Sequence, residues 1–145
     1  MQDLALSEDA AVVLALAGTA IPFSDSTESE AEHWLRILRM HGDVGSAMQA
    51  LGVGESPLAG ERHPGEGTQR FRRGGENVVD LVTARAVHIA VAREAKRVST
   101  TDVFEAVRDI YGGYFDEVLY SHGATAEELV ERLASNEERS AASGR

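Results

Sequence analysis

Two alanine-rich strings constrain this chain most: LALAGTA, Leu14 to Ala20, and IAVAREA, Ile89 to Ala95. Both space branched aliphatic residues and alanines as a close-packed helix requires. No segment shows the clear period-2 alternation of a strand, so the expected fold class is all-α. The longest apolar run, Ala10 to Ala17, falls far short of the roughly 20 residues a membrane span needs.

Start and stop signals divide the chain further. Ser7 is placed to cap a first helix whose Glu8 and Asp9 suit the positive end of the helix dipole. The Ile21-Pro22 step ends it. A second helix follows, with Thr27 and Glu30 at capping-box spacing and Trp34, Leu35, Ile37, Leu38 and Met40 on its apolar side. Gly42 breaks it, and a third helix, Asp43 to Leu51, stops at Gly52. The stretch 54–75 is rich in glycine, holds two of the three prolines, and reads as a flexible connection; within it Arg70 to Gly75 (RFRRGG) is a local basic cluster. Order resumes with a long helix reaching Lys96, a helix with Ser99 and Asp102 at capping-box spacing, a shorter one closed by Gly123, and a last one opened by Thr125 and Glu128. Residues 136–145 read as a frayed tail or linker.

With 145 residues and 43% hydrophobic content, the chain suits one domain or two small repeats sharing a core. Its net charge of −10 repels phosphates, which argues against nucleic acid and anionic membranes as partners. A histone-like DNA-binding fold, suggested by the VSTTDVFEAVRDIYG segment, is disfavoured on the same ground. The absence of cysteine excludes disulfides and thiolate metal sites, and no signal peptide is visible, so a cytoplasmic location is expected.

The two halves follow one scheme. Each gives an alanine-rich helix, a capped helix, a glycine break, a short helix and a glycine stop; LGV at Leu51 to Val53 corresponds to HGA at His122 to Ala124. Length differences fall in the loops, which points to internal duplication. The first repeat then covers 1–53 and the second 76–135.

The segments LSEDAAVVLALA, SEAEHWLRIL and AMQALGV resemble the opening helix, the second helix and the closing turn of the Clp N-terminal (Clp repeat) domain of ClpC- and ClpA-type AAA+ unfoldases. The resemblance implies a pseudo-twofold bundle of about eight helices, with the fourth helix of the first repeat reduced or absent. It implies a non-catalytic module that binds substrates, degrons or adaptors for Clp-type proteolysis. The chain has no G-x-x-x-x-G-K-[ST] phosphate loop, so the unfolding ATPase is not part of it. The resemblance further implies two ligand classes, phosphoarginine and cyclic peptide antibiotics. The latter would suit a stand-alone regulatory or sequestering module. Carried onto this sequence, the family's phosphoarginine pocket falls on Ser7 and Glu32 in the first repeat. In the second it falls on Val82 or Thr83 and Thr101, where the carboxylate is missing.

The residues themselves nominate no catalytic group, cofactor or metal site. His33, His41, His63, His88 and His122 include no pair spaced to put two imidazoles on one helical face. Tyr111, Tyr114 and Phe115 flank the Gly112-Gly113 break and form the candidate peptide surface, on the expectation that all three are not buried together.

Overall fold

The computed structural model describes residues 4–24, 26–54 and 77–143, with side chains as far as 135. Seven α-helices appear among them: α1 (Glu8–Ala20), α2 (Thr27–Arg39), α3 (Gly42–Ala50), α4 (Val78–Ala92), α5 (Thr100–Tyr111), α6 (Gly113–His122) and α7 (Ala126–Ser143). A 3-10 turn, Ile21–Phe23, follows α1 at the Ile21-Pro22 step. The all-α reading holds at this level. The expected basic cluster at Arg70 to Gly75, His63, and any fourth helix of the first half lie outside the described residues.

The sequence signals locate most helix starts. The Ser7 hydroxyl accepts from the Ala10 amide, the Ser99 hydroxyl and Asp102 carboxylate form a reciprocal capping box, and Thr125 and Glu128 form another. The second helix is different. Ser26, not Thr27, caps α2 and accepts from the Ser29 amide. Thr27 and Glu30 do not form the expected box, because both face inward and are 2% exposed.

Three other departures are local. Two-residue strands β1 (Ala5–Leu6) and β2 (Arg97–Val98) pair in parallel, too short to show alternation. Helix α4 stops at Ala92 rather than near Lys96: Glu94 takes a left-handed φ of 60°, and the Ala95 amide reaches back to the Ala90 carbonyl. IAVAREA therefore runs off its helix, whereas LALAGTA lies wholly inside α1. Helix α7 continues to Ser143, through residues read from sequence as a frayed tail or linker.

The core is continuous. Trp34, Leu35 and Leu38 of α2 and Val103, Phe104 and Val107 of α5 are all fully buried in one cluster. Helix α2 packs against both α5 and α6, α3 against α5 and α7, and α1 against α4 and α5. Hydrogen bonds cross between the halves as well. The Ser7 amide donates to the Val98 carbonyl at 2.8 Å, and the Gly54 amide to the His122 carbonyl at 3.1 Å.

One such contact serves a helix end. His41 gives α3 no side-chain cap, and the Val44 amide points instead at Thr100 Oγ1, 3.5 Å away across the halves. This close approach requires glycine at 42: its φ is +69°, and a Cβ there would meet Thr100 Oγ1 at 2.6 Å. Gly42→Ala is expected to lower stability by about 1–3 kcal/mol, combining left-handed strain with overpacking, as read by urea denaturation. A control at exposed Gly18, where a Cβ meets nothing within 4 Å, should be neutral or stabilising.

Candidate binding site

Ser7 and Glu32 stand on different elements, and each has partners within the protein. Ser7 sits between β1 and α1, its hydroxyl capping the helix and its amide paired to Val98. Glu32 projects from the middle of α2, where Oε1 lies 3.2 Å from His122 Nε2 and 3.7 Å from Arg36 Nη2. Its side chain is 17% exposed.

His122 is the residue that sequence reasoning undervalued. It ends α6 fully buried, with Nδ1 2.8 Å from the Gly54 carbonyl oxygen and Nε2 on Glu32. Both neighbours are acceptors, so a ring carrying one proton donates to only one of them, and a doubly protonated ring donates to both. The carboxylate assigned to a ligand guanidinium is therefore engaged by an internal imidazole. No spacing rule flags this contact, because Glu32 and His122 stand in opposite halves.

The outward side of α2 carries a shallow depression of about 440 Å³, lined by Ser26, Glu28, Ser29, Glu32, His33 and Arg36. His33 Nδ1 and Ser24 Oγ lie 2.9 Å apart beside it. Carboxylates and hydroxyls here suit polar or cationic groups. In the second half, Val82 is fully buried, Thr83 Oγ1 donates to the Val79 carbonyl at 2.8 Å, and Thr101 is half-buried. None of these three supplies a carboxylate.

Of the three residues of the candidate aromatic surface, two are buried and one is partly exposed. Tyr111 is 2% exposed and Phe115 is fully buried; only Tyr114 keeps partial exposure. Gly112, at φ 61° and ψ −137°, turns the chain sharply enough that Tyr111 and Phe115, on separate helices, both point into the core. Phe115 meets Phe104 edge to face, with ring centroids 6.0 Å apart. The Tyr111 hydroxyl donates to Glu30 Oε1 at 2.7 Å and accepts from Trp34 Nε1 at 3.1 Å. Among the described residues, the exposed large apolar side chains lie elsewhere: Phe23 at 85%, Tyr120 at 69% and Met40 at 59%, with Val12 and Leu16 of α1 and Val91 of α4 about two-fifths exposed.

Charge on α5 is used structurally. Arg108 grips Asp116 with two bonds, at 3.0 and 3.1 Å, and lies over the Phe104 ring. The hydrogen bond to Asp116 holds the Arg108 guanidinium above its ordinary pKa. Burial pushes the neighbouring Glu105 carboxyl up, although Arg108 pulls it the other way. Among the described residues no group of three or more His, Asp or Glu side chains is placed to hold a metal ion, and no helix is long and apolar enough to cross a membrane.

Fold and site together define an all-α protein whose two halves are joined by packing and hydrogen bonds. No protein-family model, curated protein or solved structure matches the chain.

Proposed function

We propose that this chain is a non-catalytic recognition module for polypeptides, built by duplication of one helical repeat and serving Clp-type regulated proteolysis. The observation that carries the reading is the correspondence between halves. Ser26 and Ser99 cap equivalent helices, and the buried positions behind them correspond in order: Thr27 with Thr100, Ala31 with Phe104, Trp34 with Val107 and Leu38 with Tyr111. The ends of α3 and α6 share one bonding pattern. The Val53 amide reaches the Met48 carbonyl as Ala124 reaches Leu119, and Gly52 reaches Gln49 as Gly123 reaches Tyr120. Ala10, Val13 and Ala17 of α1 correspond in burial to Val79, Val82 and Ala86 of α4.

This pairing supports the duplicated repeat and, with it, the resemblance to the Clp N-terminal domain.

Titration calorimetry tests the function with two probes: reduced, alkylated α-lactalbumin as an unfolded polypeptide, and a ClpC-type unfoldase ring. A saturable isotherm with either is the expected result; heat from neither removes the reading. Free phosphoarginine in the same assay tests the Ser7 and Glu32 pocket separately, since binding there must vanish in Glu32→Ala.

A further inference from the structure

Helices α4 and α5 leave a groove of about 510 Å³ between them, lined by Leu81, Ala84, Arg85 and His88 of α4 and by Asp109 and Ile110 of α5. The four α4 residues fall at i, i+3, i+4 and i+7, the spacing of a single helical face. Leu81, Ala84 and Ile110 give the groove an apolar floor. Its rim is polar: Arg85 Nε donates to Asp109 Oδ2 at 2.9 Å, with the two side chains 47% and 48% exposed.

That bond uses one of the five guanidinium N–H groups and one of the two carboxylate oxygens. Among the described residues nothing else hydrogen-bonds the side chains of Arg85, Asp109 or His88. The groove thus offers an apolar floor, two donor-bearing side chains one helical turn apart, and a free acceptor.

We propose that this groove takes the C-terminal residue of a bound polypeptide. The terminal carboxylate accepts from the Arg85 terminal nitrogens and from His88, the last peptide N–H donates to Asp109 Oδ1, and the terminal side chain, an apolar one, lies on Leu81, Ala84 and Ile110. Complementarity of charge and hydrogen bonding selects this occupant: Arg85 and its partner Asp109 present a cation and an acceptor side by side at the edge of an apolar floor, and a terminal carboxylate next to a peptide N–H carries the matching anion and donor. The inference rests on the reading that the chain recognises polypeptides, and not on its tie to Clp proteolysis.

Fluorescence anisotropy tests it with labelled hexapeptides of sequence Gly-Ser-Gly-Ser-Gly-X, where X is Val, Leu or Phe, each as the free acid and as the C-terminal amide. At least one acid is expected to bind about tenfold or more tightly than its amide, the loss that accompanies a missing charge-assisted hydrogen bond. Arg85→Met should abolish the difference between acid and amide, and Arg85→Lys should restore part of it, because the charge returns without the fork. Arg85 is half exposed, and circular dichroism checks that both variants fold.

Equal affinity for acid and amide, acid binding unchanged in Arg85→Met, or no binding of any acid at millimolar concentration overturns the proposal. The two readings fail separately. Lactalbumin binding without acid preference removes only the groove. Arg85-dependent acid binding without any response to lactalbumin or the unfoldase leaves the groove standing and removes the broader reading.

Discussion

Tyr111→Phe is expected to cost the fold about 2–4 kcal/mol, far more than the loss of one oxygen atom from a surface tyrosine. The hydroxyl stands between two buried groups of the other half, donating to Glu30 Oε1 at 2.7 Å and accepting from Trp34 Nε1 at 3.1 Å. Trp34 is fully buried and Glu30 is 2% exposed. Removing the hydroxyl therefore leaves the indole N–H without its acceptor and takes one donor from a buried carboxylate, with no water able to replace either cheaply. Trp34→Phe provides the check. Without an indole N–H, the Tyr111→Phe change should lose about 1 kcal/mol less in the double variant than in the wild-type background, as read by urea denaturation of the four proteins in the cycle. Strict additivity would mean that the hydrogen bond contributes nothing.

Asp102→Ala is the second large effect, about 2–4 kcal/mol. The carboxylate is 1% exposed and receives the Arg93 guanidinium through two bonds of 2.7 Å, together with the Ser99 amide at 2.9 Å. Arg93 itself is 44% exposed, so the variant leaves a hydrated cation and not a buried unpaired one. The cost falls instead on the start of α5, which loses its capping box, and on the turn from α4, which loses the clamp that closes it. Asp102→Asn keeps an acceptor and should recover about half of the loss. Hydrogen exchange should show the increase in opening concentrated at the first turn of α5. A uniform increase across all helices would assign the residue a purely global role.

Both sites show what the sequence could and could not disclose. The Ser99–Asp102 box was legible because a cap is local: three residues, one turn, and a pairing fixed by helix geometry. The left-handed glycines after α3 and α6 were legible for the same reason. Thr27 and Glu30 have the same spacing, yet Glu30 serves Tyr111, a residue 81 positions away. Local spacing carries no information about such a competitor. The contact of Glu32 with His122 was illegible for the same reason, since the two residues are 90 positions apart. The burial of Tyr111 and Phe115 depended on the direction in which Gly112 turns the chain, a backbone property that residue type permits without dictating. The end of α4 was missed because a glutamate occupies the left-handed position where glycine is usual.

The bonds that join the halves have a consequence for the chain as a whole. Leu6 pairs with Val98, Val44 leans on Thr100, Trp34 and Glu30 close on Tyr111, and Glu32 and Gly54 close on His122. Each half finishes the other, much as two subunits of an obligate heterodimer do. Two fragments, 1–54 and 77–145, made separately should therefore find each other in solution. Covalent continuity then fixes the stoichiometry of the partnership and raises the effective concentration of one half at the other; the specificity of the match lies in the interface.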